Sequence, residues 1–452
     1  MKIIIVGCGK VGATLAEQLS REGNDITVID RRFTVVQGLS NKLDIMGIVG
    51  SGTNHSVLED AGVEQSDLLI AVTGSDELNL LCCLIAKKAG NCQTIARVRN
   101  PEFHKEIRYI KEELGLAMVI NPEMAAAAEI ARILRFPSAI KIETFAKGRV
   151  EVLKFKVHPG SVLHNMEIRD ISTKLRCQVL VCTVERGEEA VIPSGTFVLK
   201  ERDIVSIVAP PKDASQFFRK IKVQTNQVKD TIIVGGGKVT FYLASQLLNM
   251  GINVKIIERD QKRCEELSEL LPRATLICGD GIDKNLLMEE GLMHTDSFVT
   301  LTNMDEENIL LSMYARNKAD LKVITKINSI DFDEVINKLD LDSIIYPKYV
   351  TAEYIVRFVR AMKNSIGSNV ETLHHLVESK VEALEFCIRE NAPMLNTPLQ
   401  ELRLKDNLLI GCINRCGKII TPKGQDMLKL GDTVVVITTN TGLNDISDIL
   451  KD

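Results

Sequence analysis

The feature that most constrains this chain is that it is written twice. Ile4-Ile5-Val6-Gly7-Cys8-Gly9-Lys10-Val11 returns as Ile232-Ile233-Val234-Gly235-Gly236-Gly237-Lys238-Val239. The match runs on in order: Asp30 with Glu258, Gly50-Ser51-Gly52 with Gly279-Asp280-Gly281, and Asp67 to Asn79 with Asp296 to Asn308. Ala96-Arg97-Val98 then pairs with Thr325-Lys326-Ile327, and Asn121-Pro122 with Tyr346-Pro347. Near the half-ends, Pro193-Ser194-Gly195 matches Pro422-Lys423-Gly424, and Lys200 to Asp203 matches Lys429 to Asp432. Collinear self-similarity of this extent means one architectural unit used twice.

Each half has two parts. The first alternates short apolar runs with helical periodicity: strand Ile3 to Val6, helix Val11 to Arg21, strand Ile26 to Ile29, a further helix, strand Ile45 to Val49. That is a β-α-β-α-β pattern, and the lack of alternation within Ile3 to Val6 fits parallel strands buried on both faces. Further strands follow at Leu68 to Thr73, Thr94 to Val98 and Met118 to Ile120, with a helix from Glu123 to Leu134 before Pro137. The second part has short strands at Glu151 to Val157, Val179 to Val184 and Ile204 to Val208 between Pro- and Gly-bearing turns. The fold class is therefore α/β: two tandem Rossmann-like parallel sheets, each followed by a small α+β domain. The expected boundaries are 1–137, 138–222, 230–364 and 370–452, with polar linkers at Lys222 to Lys229 and Lys363 to Asn369.

The glycine turns carry the chemistry. In Gly7-Cys8-Gly9-Lys10-Val11-Gly12, between a strand and a helix, the glycines permit a tight turn, close backbone approach to a pyrophosphate and close helix–strand packing. The free N–H groups at the helix start then face the anion. Asp30, at the end of the second strand, stands where a carboxylate accepts hydrogen bonds from ribose hydroxyls. It disfavours a 2′-phosphate, which Arg31 and Arg32 soften, so NAD is preferred over NADP. ATP and ADP share every contact named so far and stay open. Ser51, Thr73 and Gly74 follow strands at the carboxyl edge of the sheet, where such folds bind ligands. Arg97 and Lys326 end equivalent strands, where a cation meets phosphate or a surface carboxylate. In the second copy Thr240 replaces the third glycine, which loosens the helix–strand approach; Glu258 still offers a carboxylate.

Composition excludes several classes. With 56 Lys+Arg against 60 Asp+Glu, there is no basic field to draw the chain onto nucleic acid or anionic lipid. The apolar run Leu80 to Ala86 is far short of the roughly 20 residues that span a bilayer. Met1-Lys2 opens directly into a strand with no secretory signal pattern, so a cytoplasmic location is expected. The eleven cysteines, an odd number without a CxxC, read as reduced core residues rather than a disulfide or zinc framework. A dehydrogenase needs an acid–base group beside its nicotinamide. His55, His104, His158, His164 and His294 are isolated and unrepeated, so no catalytic residue and no metal ligand is assigned.

These residues together resemble the regulator-of-potassium-conductance (RCK) family, in the two-repeat form that serves Trk potassium-uptake systems. The resemblance rests on GCGKVG with Asp30, on AVTGSDELN, on Ala96-Arg97-Val98 and Asn121-Pro122-Glu123, and on the tandem arrangement, and it covers nearly the whole chain. It implies a non-enzymatic regulatory subunit, a homotetrameric ring on the inner face of the membrane, bound to a TrkH-like potassium-translocating partner. NAD(H) at the first site, with ATP or ADP at either, is the implied ligand. Gly7 to Val11, Asp30, Ser51, Thr73, Gly74 and Arg97 would line the first site, with Gly235, Gly236, Gly237, Lys238, Val239 and Glu258 as counterparts. Ser51 departs from the Asp of single-repeat relatives. The alternatives are a soluble NAD-dependent oxidoreductase with two Rossmann units, and a regulator of a Ktr- or Kef-type transporter.

Overall fold

A computed structural model describes the chain apart from residues 136–138, 147–148, 188, 222–227, 329–335, 337–338, 340, 365–369, 378–379, 390–392, 441–442, 444 and 452. Most of both expected linkers lies outside the described residues. The first half opens with β1 (Lys2–Val6), α1 (Lys10–Arg21), β2 (Asp25–Asp30), α2 (Phe33–Lys42), β3 (Met46–Val49) and α3 (His55–Asp60). It continues with β4 (Leu68–Ala71), α4 (Asp76–Ala89), β5 (Gln93–Arg97), α5 (Pro101–Glu113), β6 (Met118–Ile120) and α6 (Pro122–Arg135). Next come β7 (Lys141–Phe145), β8 (Val150–Lys156), α7 (Ile168–Lys174), β9 (Leu180–Arg186), β10 (Glu189–Val191), β11 (Ile204–Ala209) and α8 (Pro211–Lys220).

The second half repeats the series with β12 (Asp230–Val234), α9 (Lys238–Asn249), β13 (Asn253–Glu258), α10 (Gln261–Leu270), β14 (Thr275–Cys278) and α11 (Lys284–Glu289). Then follow β15 (Ser297–Thr300), α12 (Asp305–Lys318), β16 (Lys322–Lys326), β17 (Ser343–Ile345) and α13 (Pro347–Asn364). The chain finishes with β18 (Val370–Val377), β19 (Val381–Cys387), β20 (Leu408–Arg415), β21 (Lys418–Ile420) and β22 (Thr433–Thr438).

Like parts pair with like. One compact unit comprises Met1–Ala131 with Lys229–Val356, and the other Arg132–Val228 with Arg357–Asp452. In the first unit, two six-stranded parallel sheets have the same order, β3-β2-β1-β4-β5-β6 and β14-β13-β12-β15-β16-β17. The order reverses between β1 and β4, so a crevice opens beyond their carboxyl ends, where ligands of such sheets bind. Ile3, Ile4, Ile5 and Val6 of β1 are all buried, as a central parallel strand requires. The edge strand β3 is different: Met46 and Val49 are 55% and 46% exposed. The repeats are tied by Asn121 Nδ2, which donates to Tyr242 Oη at 3.0 Å.

In the second unit, two five-stranded antiparallel sheets again share one order, β7-β8-β11-β9-β10 and β18-β19-β22-β20-β21. They pool a buried cluster in which Val152, Cys182 and Val208 of one sheet pack with Ala383, Cys412 and Ile437 of the other. Each small domain also carries the same lock. Arg186 grips Asp203 with two bonds of 2.8 and 2.7 Å, and Arg415 grips Asp432 with bonds of 2.9 and 2.7 Å. Each aspartate also accepts the backbone N–H of Lys200 or Lys429, which is why the Lys-x-x-Asp match recurs in the sequence. Eight of the eleven cysteines are buried, Cys387 is half-buried, and Cys278 and Cys416 are exposed.

Candidate nucleotide site

β1 ends at Val6, and Gly7 turns the chain at φ +99°, a left-handed value that glycine adopts without strain. Space also requires glycine here. A Cβ on Gly7 would stand 2.8 Å from Thr73 N, and one on Gly12 only 1.9 Å from Gly7 O. Gly12 thus lets α1 start hard against the turn, while a Cβ on Gly9 would meet nothing within 4 Å. The open side at Gly9 faces the start of a helix whose first N–H groups have no intrahelical partner, a natural anion seat.

Asp30 closes β2 beside this turn. Its Oδ2 accepts from Cys8 N at 2.8 Å, and its Oδ1 from Arg32 N at 3.0 Å and Arg32 Nε at 3.2 Å. Partial burial works to raise the Asp30 carboxyl, but the bonds from the Arg32 guanidinium, Arg32 N and Cys8 N outweigh it and hold the group below its ordinary range. Arg32 Nη2 also donates to Oδ2 at 3.4 Å, so the carboxylate's roughly four acceptor sites are taken, and a ribose hydroxyl would enter by displacing the exposed Arg32 side chain. Opposite, Arg31 Nη2 donates to Ser51 Oγ at 3.1 Å, and Ser51 Oγ lies 2.8 Å from Thr53 Oγ1.

A fully buried side chain, Asn79 of α4, organises the other wall. Its Oδ1 accepts from Thr73 N and Thr73 Oγ1, both at 2.7 Å, and its Nδ2 donates to Arg97 O at 2.8 Å. Arg97 in turn donates to Thr73 O. Burial first, and then the neighbouring Arg99, push the Arg97 guanidinium down to about 10. Its Nε is buried with no hydrogen-bond partner among the described residues. Arg99 donates to Gly74 O at 2.7 Å and lies 3.8 Å from Asp76 and 3.9 Å from Glu123.

These groups enclose a cavity of about 970 Å³. Gly7, Gly9, Lys10, Val11, Asp30, Ser51, Thr73, Gly74 and Arg97 all line it. Cys8 and Gly12 do not: the Cys8 thiol is buried and pushed up to about 12 by that burial and by Asp30, and Gly12 acts through packing. The cavity also takes in residues that the sequence reading did not assign to the site, among them Arg99, Glu123, and Asn303, Asn328 and Lys348 of the second repeat. The repeat register held the clue, since Glu123 and Lys348 follow the matched Pro122 and Pro347. The glycine turn, the open side at Gly9 and the arginine pair fit the phosphates of a nucleotide.

The second copy keeps the scaffold and changes the surface. Gly235 turns at φ +100°, and Asn308 binds Thr302 N and Lys326 O at 2.9 and 3.0 Å as Asn79 does their counterparts. Glu258 accepts from Gly236 N at 2.5 Å and Asp260 N at 2.8 Å. Arg263 reaches over to donate to Gly236 O at 2.7 Å, and Thr240 spends its hydroxyl on Gly235 O. Burial pushes the Lys326 ammonium down to about 8, against the pull of Asp305 and Glu123. None of Gly235, Gly236, Gly237, Lys238, Val239 or Glu258 lines the first cavity.

Among the described residues, no helix is long and apolar enough to cross a membrane. Residues 3–122 and 231–347 match the TrkA-N domain, and 152–222 and 383–451 the TrkA-C domain. The chain is 31% identical to the Trk system potassium uptake protein TrkA of Haemophilus influenzae, over 96% of this chain and 95% of that protein. It is 31% identical to the Archaeoglobus fulgidus TrkA homolog and 30% identical to TrkA homolog 1 of Methanosarcina mazei, each over the full length of both chains. The solved GsuK RCK domain superposes with a TM-score of 0.63 over 97% of this chain and 92% of its own, at 18% identity. The GsuK channel bound to NAD gives the same score and identity over 97% and 77%; at this identity both speak for the fold. With the domain pairs, the full-length relatives and the RCK fold in agreement, the chain belongs to the TrkA family of Trk system potassium uptake proteins.

Proposed function

We propose that this chain is the regulatory subunit of a Trk-type potassium uptake system, and that it controls a membrane potassium-translocating partner of the TrkH kind by binding NAD(H), ATP or ADP at the first repeat. The observation that carries this reading is the cavity at the carboxyl edge of the first sheet, where an ionised Asp30, an open glycine turn and Arg97 converge. A bound nucleotide would supply anionic phosphates and a ribose diol. Asp30 would take the ribose hydroxyls, and the first N–H groups of α1, with Arg97, the phosphates. The protein would act as a homotetrameric ring on the inner face of the membrane, and its role is control rather than turnover.

A ligand shifts a two-state assembly only by its difference in affinity between the states, and the partner must then alter nucleotide affinity by the same factor. A coupling of about 1–3 kcal/mol suffices for clear regulation. The test is potassium or rubidium uptake at limiting potassium in cells lacking this chain, complemented with wild type or Asp30→Ala. The expected result is uptake restored by both, with its nucleotide dependence lost in Asp30→Ala. A normal nucleotide response in that variant removes the site assignment, and uptake indifferent to the chain removes the potassium assignment.

A further inference from the structure

Two cysteines meet at the edge of the second large sheet. Cys264 lies in the first turn of α10 and is buried, while Cys278 ends β14, the edge strand, and is exposed. They converge on one carbonyl. The Cys264 thiol donates to Glu258 O at 3.3 Å, and the same oxygen accepts Gly279 N, the amide that follows Cys278, at 2.9 Å. In the strand register Glu258 is paired with Cys278, and residues so paired point to the same face of the sheet. That face is the one α10 covers, since a Cβ on Gly236 would meet both Leu267 Cδ1 of α10 and Glu258 Oε2. Burial first, and then hydrogen bonding and charge from Cys278, push the Cys264 thiol up to about 11.

Packing does not ask for sulfur here. The repeat register sets Cys264 against Val36 and Cys278 against Val49, and in the first repeat Val36 is 4% and Val49 46% exposed. Valine thus fills both places, one inside and one at the surface. Cys416, the other exposed cysteine, lies in the turn between β20 and β21.

We propose that Cys264 and Cys278 form a redox-active dithiol, a modification site that a peroxide converts to a disulfide. The exposed Cys278 meets the oxidant. Its thiolate sulfur attacks one peroxide oxygen, the O–O bond breaks, and the other oxygen leaves as water once protonated, which makes Cys278 a sulfenic acid. The Cys264 sulfur then attacks the Cys278 sulfur, the S–O bond breaks, and the departing oxygen takes the Cys264 proton and leaves as water. Two thiols lose two electrons in all, and one peroxide becomes two waters. The bridge closes a loop of about 15 residues, a span at which a crosslink removes substantial chain freedom. It fastens α10 at the residue next to Arg263, whose Nε donates to Gly236 O at 2.7 Å. Oxidation therefore pins α10 and its arginine over the second glycine turn, and reduction releases them.

The experiment treats the full-length protein with hydrogen peroxide, blocks the remaining thiols with iodoacetamide, and maps unreduced peptides by mass spectrometry. Wild type should show a Cys264–Cys278 bridge that dithiothreitol reverses, with Cys416 still alkylated. Cys264→Val should stop at a sulfenic acid on Cys278, trapped by dimedone, and Cys278→Val should leave Cys264 unoxidised. Thermal melting confirms that both variants are folded, as the valines of the first repeat lead one to expect. Hydrogen exchange supplies a second readout: oxidation should slow the amides of α10 about tenfold or more in wild type, and leave them unchanged in Cys278→Val. No intramolecular bridge in wild type, a Cys278-to-Cys278 bridge between chains in its place, or oxidation of Cys264 in Cys278→Val overturns the dithiol. A bridge that forms without slowing exchange overturns its hold on α10.

Discussion

The two Rossmann-like repeats have the same strand order and the same buried asparagine, yet they treat their glycine turns differently. In the first, Gly12 lets α1 close onto the turn, and Asp30 shares its bonds with Arg32 at a cavity mouth. In the second, Thr240 binds the turn carbonyl, and Arg263 bonds the backbone of Gly236. What is shared is the buried asparagine that ties the strand ends together; what differs is what contacts the glycine turn. Duplication leaves the scaffold under the same physical demand in both copies, while each surface is free to follow its own partner.

The largest test of that division is on the shared part. Asn79→Ala and Asn308→Ala each strand buried N–H and C=O groups, and each should cost about 3 kcal/mol in denaturant unfolding. A loss confined to one repeat would break the claim that the scaffolds are equivalent. Next is the divergent part. Asp30→Ala removes the carboxylate proposed to take the ribose hydroxyls and should weaken nucleotide binding about a hundredfold, while Glu258→Ala should leave the first site's affinity unchanged; equal losses by calorimetry would erase the distinction.

A smaller effect is expected on exchanging the glycine-motif residues. Gly12→Thr forces a Cβ toward Gly7 O and should destabilise by about 2 kcal/mol, whereas Thr240→Gly should cost about 1 kcal/mol through lost packing and added chain freedom. If both exchanges prove equally mild, α1 and α9 approach their turns alike. The smallest is a pH effect. Lys326 titrates near 8 in the fold against about 10.5 when unfolded, so below pH 8 the buried charge is a penalty that is relieved as pH rises from 8 to 10.5. Unfolding free energy should therefore gain from this group across that window, and Lys326→Met should flatten the gain. Arg97 should add its own rise only from about pH 10 upward, since its depressed value lies near 10.

The parts read correctly from sequence were those whose information is local. Gly7 to Gly12 is a strand–turn–helix whose residues are neighbours in the chain, and Asp30 ends the next strand, so type and spacing alone define the turn and its acid. The apolar runs of β1 and β4 likewise declare themselves, because a strand covered on both faces cannot alternate. The walls beyond them were hidden. Arg99 lies past the end of β5, and Asn328 and Lys348 lie in the other half of the sequence, with nothing local to mark them as cavity residues.

The sequence by itself determined that a unit was used twice, that each copy begins with a parallel nucleotide-type sheet, and that the first copy carries the full glycine-and-acid constellation. Only the tertiary structure decided that like parts pair with like, that two small sheets pool one apolar cluster, and that the second repeat walls the first repeat's cavity. The reason is physical. Periodicity and turn chemistry are set by residues a few positions apart, whereas the pairing of repeats is set by contacts such as Asn121 with Tyr242, whose partners are joined only by the folded chain.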